Sequence, residues 1–168
     1  AHRPAIVYLA YPNNPTANLW DAAVIRRLIA EAATFGGLVV MDEAYQPFSS
    51  RSWIDRLREH PHRYPNVLLM RTLSKFGLAG VRLGYLIGPS ALLHEIDKLR
   101  PPYNVSVLNA ECALFAIEHA DVFAVPAAEL RSQRAALTER LAALPGVQVW
   151  PSEANMILLR VPDAHALF

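Results

Sequence analysis

Short apolar runs that stop at polar or turn-forming residues dominate the first half of the chain. They cover residues 5–10, 38–41, 67–70 and 82–88. Continuous apolar runs of this length are typical of strands, and the first two have the character of strands buried on both faces. Between these two, apolar residues recur at helical spacing from Leu19 to Phe35. We expect a helix there, with Asn18 as its N-cap and Gly36-Gly37 as its stop.

The alternation of strands with helices over residues 5–88 predicts an α/β fold with a mainly parallel sheet. A further short helix is predicted at residues 52–58. In such sheets, ligands bind beyond the carboxyl ends of the strands. Asn14, Asp42 and Lys75 each follow the end of a predicted strand. We therefore expect these three side chains to share one site.

The second half of the chain has a different pattern. Residues 105–119 and 126–144 are predicted to be helical. Leu130, Leu137 and Leu144 recur every seven residues, which indicates an apolar stripe that packs against another element. Residues 147–150 and 156–159 are predicted as two strands of another sheet. We expect residues 1–120 to belong to a large domain, and residues 121–168 to form a connecting helix and the start of a small α+β domain.

Composition narrows the classes of function. Hydrophobic residues make up 53% of the 168 positions and charged residues 18%, which is enough for a real core. The net charge is +1 and no basic block is present, so neither a nucleic acid nor an anionic membrane is an expected partner. No apolar run reaches the roughly 18 residues of a membrane span, and no secretory signal is visible. These features favour a cytoplasmic protein.

Metal and disulfide chemistry are not expected. The single cysteine, Cys112, lies in an apolar run, and we expect it to be a small buried core residue. His60 and His62 flank a proline in a turn-rich stretch, with no acidic residue or cysteine placed nearby. The sequence therefore indicates no metal site.

Lys75 is the strongest candidate for chemistry. Its amine could form a Schiff base with a pyridine-ring aldehyde cofactor. The carboxylate of Asp42 would keep the ring nitrogen protonated, while Asn14 and Tyr45 would contact the ring oxygen. Each residue also has an ordinary interpretation, since most lysines are solvated surface charges and an aspartate at a strand end usually forms a turn. Glu43 is expected to point to the opposite side, and we give it no role.

Hydroxyl and guanidinium groups near Lys75 could bind a phosphate on such a cofactor. The candidates are Thr72, Ser74 and Arg82. The stretch is not a P-loop, because the glycine-rich lead before the lysine is absent.

Five segments in this order resemble the fold-type I, pyridoxal-phosphate-dependent aminotransferases of class I/II. They are YPNNPT at 11–16, MDEAY at 41–45, TLSKFGLAGVRLGY at 72–85, RPPYNVS at 100–106 and SEANMIL at 152–158. Within that family, the local sequence around Asp42, around Lys75 and at residues 100–106 is typical of enzymes that act on histidinol phosphate. The resemblance covers essentially the whole chain. Taken together the motifs are highly specific, although singly only the Lys75 segment is strong.

The resemblance implies an aspartate aminotransferase-like fold, and it implies roles for individual residues. Lys75 would be the Schiff-base lysine, and Asp42 would pair with the pyridine nitrogen of pyridoxal 5'-phosphate. Asn14 and Tyr45 would contact the ring oxygen. Asn155 would lie near the substrate carboxylate. The phosphate would be bound by three residues: Thr72, Ser74 and Arg82.

The implied reaction is amino transfer between histidinol phosphate and 2-oxoglutarate in histidine biosynthesis, by a homodimer with its active sites at the subunit interface. The same core also serves aromatic amino-acid aminotransferases and decarboxylases of phosphorylated amino acids, so both remain alternatives. A nucleic-acid-binding regulator that embeds such a domain is a more distant one.

The chain departs from the family at Ala17, where glycine is usual, and we expect a mild change in that turn. Parts of the family's site have no counterpart among these residues. We therefore expect an internal fragment of an aminotransferase, weak or inactive alone. The corresponding non-enzyme alternative is a catalytically incomplete fragment that retains only the fold.

Overall fold

A four-stranded sheet forms the first half of the chain in the computed structural model, which describes residues 2–165. Its strands, in spatial order, are β1 (Ile6–Ala10), β2 (Leu38–Asp42), β3 (Val67–Thr72) and β4 (Gly84–Ile87). The first three are parallel, and β4 is antiparallel to β3. The predicted α/β class with a mainly parallel sheet is confirmed. The exception, β4, follows β3 through turns rather than a crossover helix, so the chain returns in the opposite direction.

Five α-helices, three short 3₁₀ turns and a second small sheet complete the described part of the chain. The helices are α1 (Ala22–Ala33), α2 (Ile54–Glu59), α3 (Ser90–Asp97), α4 (Val107–Glu118) and α5 (Ala120–Ala142). Strands β5 (Gln148–Val149) and β6 (Leu159–Arg160) form an antiparallel pair, which confirms two strands of another sheet. Within residues 2–165, no helix combines the length and the apolar character that crossing a membrane requires.

The core lies between α1 and one face of the sheet. Ile25 and Ile29 of α1 are at most 3% exposed, and β2 and β3 contribute side chains that are fully buried: Val39, Met41, Val67 and Leu69. Burying each large aliphatic side chain contributes about 1.5–3 kcal/mol, so this layer fixes the positions of β2 and β3. The buried Asn66 amide adds a polar link, because it donates to the backbone oxygens of Ile29 and Gly37.

Two expectations for the first half are wrong in detail. Strand β1 is not buried on both faces, because Ile6 is 49% and Tyr8 65% exposed. The described residues cover only the face that carries Val7 and Leu9. Helix α1 begins after Asp21, not after Asn18. The Asp21 carboxylate accepts from the backbone N–H groups of the next turn, which makes it the N-cap.

The second half also differs from expectation. Helix α5 begins at Ala120, so Pro126 lies inside it rather than at its start. Leu130, Leu137 and Leu144 are 42%, 47% and 52% exposed, so the packing expected for this stripe is not seen among residues 2–165. Cys112 lies on the exposed side of α4 and is not a core residue. The division into residues 1–120 and 121–168 stays a prediction, and residues 166–168 lie outside the described part.

Candidate active site

The ends of β2 and β3 place Asp42 and Thr72 on the same face of the sheet. Asp42 is opposite Met70 in the parallel register, and side chains alternate between faces along a strand. Met70 and Thr72 therefore share the face of Asp42, while Glu43 and Arg71 lie on the other. A cavity of about 750 Å³ adjoins this face and is lined by Asp42, Thr72 and residues of α3. The strand ends thus present a carboxylate and a hydroxyl to one cavity.

Three predicted site residues, Asn14, Tyr45 and Lys75, lie together beyond the carboxyl ends of the parallel strands, although they are distant in the sequence. The Asn14 side-chain amide donates to the Tyr45 hydroxyl at 3.2 Å. The Lys75 Nζ lies 5.1 Å from the centroid of the Tyr45 ring, within the range of a cation–π contact. An amide, a phenol and an amine are therefore grouped, and their roles toward a cofactor stay predictions.

Thr72 shapes the turn that carries Lys75. Its Oγ1 accepts from the backbone N–H of Ser74 at 3.1 Å, which caps the 3₁₀ turn Leu73–Lys75. The same hydroxyl lies 3.4 Å from the carbonyl oxygen of Leu83, to which it donates. Gly77 has a φ of +95°, in the region that favours glycine, and it lets the chain leave the turn. Thr72 therefore has a structural part in the turn in addition to any contact with a ligand.

Ser74 and Arg82 remain available for an anion. Neither side chain makes a hydrogen bond or ion pair with any residue from 2 to 165, and Arg82 is exposed. Arg82 also has a φ of +54°, which is rare outside glycine and costs energy of order 1–3 kcal/mol. Conformations of this kind cluster at binding sites, so the strain accords with the predicted phosphate contact.

Ala17 occupies a left-handed turn next to Asn14. Its φ is +61° and its side chain is fully buried. Its N–H donates to the carbonyl oxygen of Asn13 at 2.7 Å, and its own carbonyl oxygen accepts from the N–H of Glu153 at 2.7 Å. The alanine thus takes up a conformation that glycine would adopt without strain.

Asn155 is exposed, and its side chain has no hydrogen-bond partner among the described residues. The residue before it, Ala154, is buried, and its carbonyl oxygen accepts from Arg134 at 2.8 Å. Burial lowers the pKa of Arg134, and the negative charge of Glu153 partly offsets that effect. The amide of Asn155 is therefore presented to solvent from an anchored backbone, and its contact with substrate stays a prediction.

Sequence reasoning missed a buried ion pair behind the site. Glu43 is 1% exposed, and its carboxylate accepts from the Arg71 side chain at 2.9 Å, from the Ser52 hydroxyl at 2.8 Å and from the Trp53 N–H at 2.6 Å. Burial lowers the pKa of Arg71, but hydrogen bonds to Glu43 and Tyr85 outweigh that effect and raise it overall. A carboxylate at the end of one buried strand and a cation near the end of the next could have signalled this pair.

Comparison with known proteins decides the family. The model of the aminotransferases of class I and II matches residues 1–168. The chain belongs to this family. The aminotransferase resemblance predicted from the five motifs is thereby confirmed.

Curated relatives of this aminotransferase chain are close in sequence but much longer. It is 70% identical over 164 residues to the histidinol-phosphate aminotransferase of Acidovorax sp. (strain JS42), a match covering 97% of the chain and 45% of the relative. It is 69% identical over 167 residues to the histidinol-phosphate aminotransferase of Methylibium petroleiphilum, covering 99% and 44%. The chain spans less than half the length of these relatives.

Solved structures support the same fold. The histidinol-phosphate aminotransferase of Sinorhizobium meliloti, in complex with pyridoxal-5'-phosphate, is 29% identical, with a TM-score of 0.79, covering 95% of this chain and 43% of that one. The L-threonine-O-3-phosphate decarboxylase of Porphyromonas gingivalis is 26% identical, also with a TM-score of 0.79, covering 96% and 49%. The aminotransferase chain therefore has the fold of the pyridoxal-phosphate-dependent transferases, as predicted.

Proposed function

We propose that these residues are part of a pyridoxal-phosphate-dependent aminotransferase that transfers an amino group between histidinol phosphate and 2-oxoglutarate in histidine biosynthesis. The observation that carries the proposal is the grouping of Asn14, Tyr45 and Lys75, in which Tyr45 follows Asp42 by three residues after the end of β2. The names of relatives that are 70% and 69% identical support the substrate.

The residues present fit the proposed cofactor. The cofactor combines an aldehyde, a ring oxygen, a basic ring nitrogen and a phosphate, and the described residues offer a chemical complement to each. Lys75 supplies an amine, Asn14 and Tyr45 supply hydrogen-bond groups, and Asp42 supplies a carboxylate. Ser74 and Arg82, whose side chains have no hydrogen-bond or ion-pair partner among residues 2–165, supply donors for an anion.

In the proposed mechanism, each of these side chains acts on a stated group. The Lys75 amine would hold the cofactor and, when free, would take up the proton from the substrate Cα. The carboxylate of Asp42 holds a proton at the ring nitrogen by Coulomb attraction. When bound, the cofactor supplies an electron sink for the bond that breaks at Cα. Asn14 and Tyr45 orient the ring, and Asn155 contacts a carboxylate of 2-oxoglutarate or of the glutamate formed from it.

Localisation and oligomeric state are also part of the proposal. We infer that the enzyme is a homodimer in the cytoplasm and that its substrates are small amino and keto acids, in keeping with the family resemblance. Large apolar side chains are exposed on α4 and α5, including Val107, Leu108, Phe115 and Val125, and a subunit partner would cover surface of this kind. The likeness to a phospho-amino-acid decarboxylase keeps decarboxylation as the second candidate reaction.

A titration with pyridoxal phosphate tests the proposal. It is made on the longest natural chain that carries these residues, called the parent chain below, and in parallel on the 168-residue chain. Visible absorbance reports attachment, and borohydride reduction followed by peptide mapping locates it. We expect attachment at Lys75 in the parent chain, none in its Lys75→Ala variant, and normal attachment in the matched Lys98→Ala variant. Lys98, at the end of α3, is half-exposed, and among residues 2–165 its amine pairs only with Glu95.

The outcomes separate the alternatives. Attachment to the parent chain but not to the 168-residue chain indicates that the site needs further segments. Formation of the ketone phosphate from histidinol phosphate, with 2-oxoglutarate converted to glutamate, supports amino transfer, whereas release of carbon dioxide from a phosphorylated amino acid supports decarboxylation. The absence of attachment at Lys75 in both chains would overturn the proposed function.

A further inference from the structure

Residues 46–53, which follow Tyr45, form a connector segment between the site and the second half of the chain. It is bound from two sides by charged side chains. The Glu43 carboxylate accepts from Ser52 and from the N–H of Trp53. From α5, Arg131 donates to the carbonyl oxygen of Pro47 at 2.6 Å, and Arg134 to that of Phe48 at 3.1 Å. The connector segment therefore has a defined position relative to both β2 and α5.

Glu153 adds a third attachment, from the loop between β5 and β6. Its carboxylate accepts from the N–H of Ser50 at 2.6 Å and from the Ser50 hydroxyl at 2.9 Å. The Ser49 hydroxyl lies at 3.5 Å, the limit of a hydrogen bond. Two hydrogen bonds from one residue to one carboxylate define orientation as well as distance.

The backbone of Glu153 reaches the other site loop. Its N–H donates to the carbonyl oxygen of Ala17, three residues after Asn14. The next residue, Ala154, is buried and bound by Arg134, and the exposed Asn155 follows it. Glu153 thus contacts both loops that flank the Asn14 and Tyr45 pair and lies two residues before Asn155.

We propose that Glu153 is a positioning residue that holds the Asn155 amide in place for the substrate. The inference rests on the proposed function and extends it to a residue for which the motif comparison implied no role. Without the carboxylate, the loop keeps its backbone bond to Ala17 but loses both bonds to Ser50. Asn155 would then be free to shift, and substrate binding would weaken while the cofactor site on Asp42 and Lys75 is left intact.

The test compares the parent chain with four separate variants of it: Glu153→Ala, Glu153→Gln, Asn155→Ala and the double variant Glu153→Ala/Asn155→Ala. Glu139→Ala is the matched control, because Glu139 is an exposed carboxylate on α5 with no side-chain partner among residues 2–165. Pyridoxal-phosphate attachment, KM and kcat for 2-oxoglutarate (the substrate that carries a carboxylate) with histidinol phosphate as amino donor, and hydrogen exchange over residues 152–156 are measured for each.

We expect Glu153→Ala to raise the KM for 2-oxoglutarate about tenfold, with kcat and cofactor attachment little changed. A tenfold rise corresponds to the loss of one charged hydrogen bond, the one between Asn155 and the substrate carboxylate. Glu153→Gln, which retains one acceptor oxygen, should show a smaller increase. Because both residues act through one contact, the double variant should be no worse than Asn155→Ala alone. Hydrogen exchange over residues 152–156 should be faster in Glu153→Ala than in the control.

The inference is overturned if both Glu153 variants match Glu139→Ala in KM, or if the Glu153 and Asn155 effects simply add. A Glu153→Ala chain that fails to fold leaves the decision to Glu153→Gln and to Ser50→Ala, which removes only the hydroxyl bond. Failure of the proposed function looks different, because the unchanged parent chain would then attach no cofactor. That result would also overturn the positioning role.

Discussion

Replacing Glu43 by glutamine tests whether the buried ion pair behind the site is needed for the fold. Glutamine has nearly the same shape, but it puts an N–H₂ group where one carboxylate oxygen was. Every neighbour of that carboxylate is a donor: Ser52, the N–H of Trp53 and the Arg71 guanidinium. The amide must therefore point its N–H₂ group at a donor in either orientation.

The structure allows the loss of stability to be worked out. An amide directed at Trp53 leaves a buried N–H without an acceptor, which costs about 1–3 kcal/mol. An amide directed at Arg71 removes both of that residue's bonds to Glu43 and leaves its charge largely desolvated, with a side chain only 18% exposed. Either orientation also removes the charge attraction. We expect a total loss of about 3 kcal/mol in the free energy of unfolding.

Urea unfolding of the parent chain measures this loss. With an m-value of about 2 kcal/mol/M, the midpoint should fall by about 1.5 M. Glu31→Gln is the control, because Glu31 is an exposed residue of α1 with no side-chain partner among residues 2–165. It should stay within about 0.5 kcal/mol of the unchanged chain.

A second change separates charge from packing. Adding Arg71→Met to Glu43→Gln removes the unpaired cation, so it should recover at least about 1 kcal/mol. The reasoning would be refuted by a Glu43→Gln loss below about 1 kcal/mol, or by a double variant whose loss equals the sum of the two single losses.

Two further predictions concern the Ala17 turn and the start of α1. Ala17→Gly should leave the free energy of unfolding within about 1 kcal/mol, since relief of about 1–2 kcal/mol of left-handed strain is offset by a buried methyl group and a more flexible unfolded chain. Ala17→Val should lower the free energy of unfolding by at least about 2 kcal/mol, because the position is fully buried. A higher melting temperature for Ala17→Val than for Ala17→Gly would contradict this. Hydrogen bonds from the N–H groups of Val24 and Ala23 lower the pKa of Asp21, so its stabilising effect is present above its ordinary pKa and lost as pH falls through the folded value. The stability advantage over Asp21→Ala should shrink below about pH 4, and an advantage that persists in melts at pH 2 would count against the cap.

The order of strands and helices could be predicted from the sequence, because apolar runs and their stops are local signals. The runs at 38–41 and 67–70 became β2 and β3, which lie at the centre of the sheet, where burial and β-propensity agree. The polar residues after them were also local signals, and parallel strands bring their carboxyl ends to one edge. For this reason Asn14, Asp42 and Lys75 could be predicted to share one site, and the structure groups Asn14 and Lys75 around Tyr45.

Burial at the edges could not be predicted in this way. The pattern of β1 matches that of a central strand, yet Ile6 and Tyr8 are exposed, because the burial of a strand depends on which neighbours cover it. The leucines that recur every seven residues from Leu130 to Leu144 and the apolar surroundings of Cys112 misled for the same reason. Amphipathic spacing indicates a face that can pack, whereas packing itself requires a second surface.

The sequence by itself determined the family, the strand order along the chain and the candidate residues for the proposed cofactor, since all of these depend on residue type and short-range spacing. Only the tertiary structure decided which charged residues hold the site together. The contacts of Glu43 with Arg71 and of Glu153 with Ser50 join positions 28 and 103 residues apart. No local pattern encodes such pairs, because their energy arises from a shared environment that exists only when the chain is folded.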